Sequence, residues 1–278
     1  MKSRVRALIA LLSLAAAGPA LAQEAAPPPP RTVQAPDLDR GAPDLPFVPA
    51  EPDFTLVSLP TTLRLPAGRW AFRVTHRFTR GLGDGSFGDL ASDFFGFDSS
   101  AIVGLEVRYG ILPGTQIAVL RTSDRTIQLT AQTSILQQSP SRPVAIDAIG
   151  AVQGLDNLTE SYTTTLGALV SRRFGERGAL YVQPLVVLNP LPESATASES
   201  AFLLGVGGRA RLTESLYVVG EIVPRLAGED AGDPHASVAI ESRKGGHSFQ
   251  INVSNSFATT LGQIARSYGA GAWHVGFN

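Results

Sequence analysis

Ionisable side chains recur two or four residues apart in several stretches of this chain: Arg73 with Arg77, Glu106 with Arg108, Arg209 with Arg211, and Glu241 with Arg243, joined by Glu221 and His274 singly. In an extended segment an even spacing puts both members on one face. With Gln128, Gln132, Asp147 and Gln183 they collect both signs of charge on a common surface. Two chemistries fit such a surface. Opposite charges short of water can neutralise one another in a lattice of salt bridges and hydrogen bonds. Alternatively, Arg73, Arg77 and Arg108, adjacent in the first two segments, form a cationic stripe that favours small anions.

Other chemistries find less support. The histidines His76, His235, His247 and His274 lack metal-ligand spacing, and the chain has 0 cysteines, which excludes disulfides, thiol catalysis and a lipid-anchored cysteine. Asp84, Asp89, Asp93 and Asp98 match no calcium loop and are expected to be solvated. Gly81, Gly83, Gly85 and Gly88 superficially suggest a phosphate cradle, but no strand, loop and helix unit surrounds them. His76 lies on an apolar face, yet a lipid-facing base needs a serine beside it that the sequence does not place. His247, beside Gly245 and Gly246, is expected to brace a turn by a hydrogen bond. No catalytic residue, metal or cofactor is expected.

The elements that must position these residues follow a leader. Lys2, Arg4 and Arg6 precede an apolar run from Ala7 to Ala17, a Gly18-Pro19 break and the small-residue site Ala20-Leu21-Ala22, the pattern of a signal peptide over 1–22. Its loss leaves 20 of the 23 basic residues against all 24 acidic ones, a net charge of −4 and no footprint for nucleic acid. No later stretch offers the roughly 18 apolar residues in a row that a spanning helix needs, so membrane insertion must use strands. Residues 23–67 hold eleven of the 20 prolines and read as an extended periplasmic linker. Within it, Phe54 to Leu59 offers a short strand or a segment that inserts into the mouth of the following domain.

From residue 68 the chain alternates apolar and polar side chains. Over 69–79, Trp70, Phe72, Val74, Phe78 and His76 share one face, and Arg73 and Arg77 the other. A slip of one residue would turn both arginines toward lipid at about 2–4 kcal/mol each near mid-membrane, so the aromatic face points outward. Residues 126–135 and 248–256 repeat the pattern. Weaker segments at 100–109, 115–122, 143–152, 162–173, 179–188, 200–212, 216–224, 236–243 and 269–277 bring the count to about twelve. Connections alternate short and long, as periplasmic turns and outer loops do; the link at 123–125 is short where a long one is due. In the loop 80–99, Phe87, Leu90 and Phe94 predict a short amphipathic helix that folds inward or lies on the outer leaflet. A soluble antiparallel sandwich or soluble closed barrel would alternate too, but a sandwich gives no reason for every second connection to be long.

The order of several short elements is familiar. His76-Arg77-Phe78, Phe95-Gly96-Phe97-Asp98 running into Gly104-Leu105-Glu106-Val107-Arg108-Tyr109-Gly110, Gly205-Val206-Gly207-Gly208-Arg209 with Val219-Gly220-Glu221, and Gly245-Gly246-His247-Ser248-Phe249-Gln250 with Asn255-Ser256 together resemble a family of bacterial membrane β-barrel proteins of unknown function. The resemblance covers roughly 68–257, and the Gly-Gly-His-x-Phe-Gln element is its most specific part. It implies a barrel, marks His76, Phe78, Asp98, Gly245, Gly246, His247 and Phe249 as motif positions, and assigns no activity. One departure is that Phe277 is penultimate, whereas barrel export signals usually finish on an aromatic residue.

The expectation is therefore an all-β fold: a single transmembrane antiparallel up-and-down β-barrel of about twelve strands over 68–278, in the outer membrane of a Gram-negative bacterium. Its expected partners are outer-membrane lipid, the barrel assembly machinery and small solutes. The expected role is a passive or gated pore or binding barrel; the alternatives are a closed structural or docking barrel and a lipid-facing hydrolase. Barrels of about eight strands are filled by side chains and those of 16–18 conduct, so twelve leaves the lumen open to either outcome.

Overall fold

The computed structural model describes residues 47–190, 200–228 and 233–278. The expected signal peptide and the linker up to residue 46 lie outside the described residues. Twelve strands form the wall: β1 Trp70–Phe78, β2 Ala101–Leu112, β3 Thr115–Thr122, β4 Ile127–Leu136, β5 Ala145–Leu155, β6 Glu160–Arg173, β7 Gly178–Leu188, β8 Ser200–Arg211, β9 Leu216–Val223, β11 His235–Lys244, β12 His247–Ser254 and β13 His274–Phe277. Between β9 and β11 a three-residue strand, β10 Arg225–Ala227, also pairs with β8. Neighbours in the chain pair antiparallel, β9 pairs with β11, and β13 returns to β1 through His76↔Phe277 and Arg77↔Gly276. The sheet is closed.

The expected strands lie within three residues of those observed, with one exception. The last strand begins at His274 rather than 269, because Ser267, Gly269 and Gly271 take positive φ values of 51, 67 and 126° that hold the chain in a loop. The link expected over 153–161 is only four residues long, since Asp156, Asn157 and Leu158 reverse the chain in consecutive left-handed conformations.

Burial decides what solvent the wall faces. Leu105, Val119 and Leu129 are 48%, 45% and 43% exposed, while Glu106, Gln128 and Gln132 on the same strands are 6%, 7% and 1% exposed. A water-soluble protein buries the first set and exposes the second. Here the polarity is inverted, as a barrel in lipid requires, and a soluble sandwich is excluded. Trp70 and Tyr109 pack against each other at one end of the wall, with ring centroids 4.2 Å apart and planes tilted by 34°. No helix among the described residues is long and apolar enough to cross a membrane.

Two short helices sit in the loops. Helix α1, Phe87–Ser92, starts with a capping box in which Ser86 and Asp89 satisfy each other's backbone N–H. None of its residues is buried, so the inward-folding alternative does not hold. Helix α2, Leu261–Ala265, in the connection from β12 to β13, is buried along its whole length.

Candidate functional site

Twelve strands enclose a lumen wider than that of the eight-strand barrels whose own side chains fill it. The chain fills it with its own N-terminal segment. Thr55 and Pro60 bridge to make a tight hairpin, and Leu56, Val57 and Leu59 are completely buried inside the barrel. Of the stretch expected to be a periplasmic linker, residues 50–65 are thus buried or half-buried while Phe47, Pro66 and Ala67 are exposed; insertion of Phe54 to Leu59, the alternative reading, is what occurs. The apolar residues of this segment, together with Leu65, gain burial that no extended spacer would offer.

Burying irregular backbone requires a partner for every N–H and C=O. The inward polar residues supply them. One carboxylate, Glu221, accepts the N–H groups of Val57, Ser58 and Leu59 at 3.0, 2.8 and 3.1 Å. Arg209 donates to the Thr55 carbonyl at 2.6 Å, Gln250 to Leu56 at 2.9 Å, Gln183 to Pro60 at 2.8 Å and Gln132 to Thr61 at 2.9 Å. Asn278 and Arg77 both reach the Val57 carbonyl, and the Leu65 N–H donates to Gln116. Side chains of the wall here replace the neighbouring strand that the plug lacks.

Glu221 is itself held in place. His235 Nε2 lies 3.1 Å from it and His235 Nδ1 lies 2.8 Å from Ser256 Oγ. In the neutral ring the carboxylate keeps the proton on Nε2, leaving Nδ1 to accept from Ser256. The three residues have the composition of a hydrolytic triad. All are buried, however, and the carboxylate faces the plug.

From the opposite end the β12–β13 connection closes the lumen a second time. The Leu261 N–H donates to Gln128 at 2.8 Å, Thr260 to Gln153 at 2.5 Å, and Ser58 Oγ to the Ala258 carbonyl at 3.0 Å, which joins the two plugs.

A membrane-bound beta barrel domain family, DUF5777, matches residues 53–278. The chain belongs to this family. No curated protein and no solved structure matches it. The span matched by DUF5777 opens at residue 53, ahead of β1, so the plug hairpin is part of the shared domain rather than an appendage.

The anticipated lumenal residues of this DUF5777 barrel resolve into pairs. Arg209 and Glu241 meet at 2.7 Å with both side chains fully buried, and Arg73 and Arg108 share Glu106 at 3.1 and 2.9 Å. Asp147 pairs with Arg64 of the plug segment at 2.5 Å. Arg211 instead reaches the exposed Glu176 in a turn, and Arg243 contacts the Pro52 carbonyl. His274 donates to the Arg80 carbonyl and packs on Phe257. The expected stripe is broken: Arg77 is tied to the plug and to Asn278, while Arg73 and Arg108 are bound by Glu106.

Among the motif positions, His76 stacks on Phe277 at 4.1 Å and Phe78 packs against Phe97 at 4.9 Å, so these mark the seam where the barrel closes. Gly245 takes φ 58° in the β11–β12 turn with Gly246, and Asp98 and Phe249 are exposed. His247 is exposed too, and although its backbone pairs with Lys244, its side chain forms no hydrogen bond among the described residues, contrary to its expected role in the turn. Asp84, Asp89 and Asp93 bind Gly81, Ser86 and Arg80 separately and do not converge. Sequence reasoning missed Glu51, which accepts from Thr62 and Tyr181 at 2.8 and 3.0 Å, and the His235 cluster. The run Leu56-Val57-Ser58-Leu59, apolar after a proline-rich stretch, was the available signal for the plug.

Below the plug, at the end where β1 begins, a vestibule of about 1100 Å³ remains. Arg64, Arg73, Arg108, Arg173 and Arg243 line it, against Glu51, Asp53 and Glu106.

Proposed function

We propose that this barrel sits in the outer membrane with its vestibule toward the periplasm and works as a closed binding barrel for small anionic solutes, opening to conduct only when the hairpin plug moves. The observation that carries this reading is the plug itself: the N–H groups of Val57, Ser58 and Leu59 and the carbonyls of Thr55, Leu56, Val57, Pro60 and Thr61 are each met by a side chain from outside the hairpin, which is the arrangement of a seated gate rather than of debris in a channel. Five guanidinium groups against Glu51, Asp53, Glu106 and the Asp147 that holds Arg64 leave an excess of one positive charge, which supports a preference for anions. The paired charges Arg209–Glu241 and Arg64–Asp147 favour a second reading, a purely structural barrel that never opens.

Planar-bilayer recording separates the two. The whole chain should stay at the lipid background, and deletion of residues 47–62 should produce discrete, anion-selective conductance. A deletion variant that folds and remains silent leaves only the structural barrel.

A further inference from the structure

The end of the wall that carries the hairpin turns holds more cations than it pairs. Arg211 is engaged by Glu176 at 3.3 Å and by the Thr213 and Glu214 carbonyls, and Arg173 by Glu51 at 3.6 Å. Arg142, Arg172, Arg177 and Lys244 are exposed and meet no carboxylate among the described residues. Against these four stands Glu214, exposed in the β8–β9 turn.

Two of the free cations sit on one hairpin, β6–β7, and its surroundings are apolar. On β6 Leu166 is exposed while Leu169 and Ser171 are buried, so even-numbered residues face outward and Arg172 follows them at the end of the strand. It stands opposite the exposed Leu180 of β7. A charge on the lipid face is tolerated near the interface and not at mid-membrane, which puts this row at headgroup depth. The Arg172 guanidinium lies over the Phe174 ring, 5.3 Å from its centroid. Phe174 and Leu212 belong to the β6–β7 and β8–β9 turns, yet are 47% and 57% exposed. Turns that project into water are polar, so apolar residues at both tips extend the greasy surface past the strand ends.

A groove of about 460 Å³ separates the two turns, lined by Phe174 and Leu212, by Arg177 and Arg211, and by Glu176 and Glu214. Beside it the wall is continuous: Arg172 pairs with Leu180, Gly178 with Ala210 and Ala210 with Val218. A chain lying there meets the side chains of Leu180, Ala210 and Val218 and no open strand edge. We infer that this corner of the rim is a binding site for an anionic phospholipid of the adjoining leaflet. Arg172 and Arg177 hold the phosphodiester, whose oxygens a guanidinium fork matches; the rest of the head lies in the groove, and the acyl chains run over Leu180 and Ala210 into the hydrocarbon. The occupant follows from charge and from place, since the unpaired cations call for an anion and the groove is continuous with the surface that already faces lipid. The inference goes beyond the gated-barrel reading and does not depend on it: neither arginine lines the vestibule or touches the plug.

The test uses the whole chain in nanodiscs, with Trp70→Phe, Trp273→Phe and Phe174→Trp, which leaves one tryptophan, at the turn, and keeps an aromatic face for Arg172. Bromine on an acyl chain quenches that tryptophan on contact, so phosphatidylglycerol and phosphatidylcholine with the same brominated chains compete for it in mixtures. Two basic groups at the surface should favour the anionic lipid by roughly tenfold, and Arg172→Gln with Arg177→Gln should bring the ratio close to unity. Lys244→Gln, which removes an exposed cation from a different turn, should leave the ratio unchanged. Equal quenching by the two lipids, or an unaltered ratio in the double glutamine variant, overturns the inference. So does an equal fall with Lys244→Gln, which would reduce the effect to the diffuse charge of the rim. Glycerophosphoglycerol, the same head without chains, should not displace the brominated lipid; displacement would make the groove a site for soluble phosphates and overturn the lipid assignment.

Discussion

Removing the Glu221 carboxylate should release the plug. Three backbone N–H groups converge on it at 2.8–3.1 Å, within a fully buried site. A hydrogen bond to an ionised acceptor contributes about 1.5–3 kcal/mol, and three that share one carboxylate are not additive, so Glu221→Ala should cost the seated hairpin about 4 kcal/mol. At about 1.4 kcal/mol per decade this raises the unseated population roughly 10³-fold. Ser58→Cys, a near-isosteric change at a 5% exposed position in a chain otherwise free of cysteine, provides the reporter. Its rate of modification by a water-soluble maleimide follows the unseated population when reseating is fast. The double variant should label about 10³ times faster than Ser58→Cys alone. Glu221→Gln, which keeps an acceptor oxygen without the charge, should fall between them. A rise below threefold in a barrel that still shows folded mobility on a gel would refute the latch.

Other perturbations test other parts of the argument. Arg209→Met strands a fully buried Glu241 and should lower stability by about 3–5 kcal/mol in a urea titration, most of it recovered by adding Glu241→Leu. A Cβ on Gly207 would stand 2.4 Å from Leu56 and 2.9 Å from the Gly220 carbonyl, so Gly207→Val should cost about 1–3 kcal/mol and speed maleimide labelling at position 58. Leu129→Arg places a charge on the outward face and should cost about 2–4 kcal/mol of folding free energy in lipid; a neutral effect would contradict the lipid-facing assignment. The Ser86 N–H and hydroxyl hold the Asp89 carboxyl below its ordinary range. The capping of α1 is therefore complete above the ordinary carboxylate pKa and lost as pH falls through the lowered value, where amide exchange at Leu90 should accelerate.

Which face of each strand points inward was legible because alternation has a fixed period and a misplaced arginine is expensive: Arg73 and Arg77 settle β1 from the sequence alone. Strand number and order followed from counting such segments. The extent of β13 was not legible, since its early residues alternate acceptably and only the positive φ values at Ser267, Gly269 and Gly271 withhold them from the sheet. The plug was half visible. Its apolar run is only four residues long, too short for periodicity to separate a strand from an insert, and the prolines around it favour an extended spacer as readily as a seated hairpin.

The inward polar residues carried an ambiguity of a different kind. An amide or guanidinium donates equally well to water, to a passing anion or to a peptide carbonyl, so Gln132, Gln183, Arg209 and Gln250 read alike as a pore lining and as a socket. What separates the two is a feature no single strand contains, the position of the unpaired backbone that needs those donors. Glu221 shows the difference most sharply: as one of several lumenal charges it suggests selectivity, and only the three N–H groups of Val57, Ser58 and Leu59 turn it into a latch. Residues that face a lumen are thus a prediction of orientation, and their occupant has to be sought among segments of the same chain that have lost their own hydrogen-bond partners.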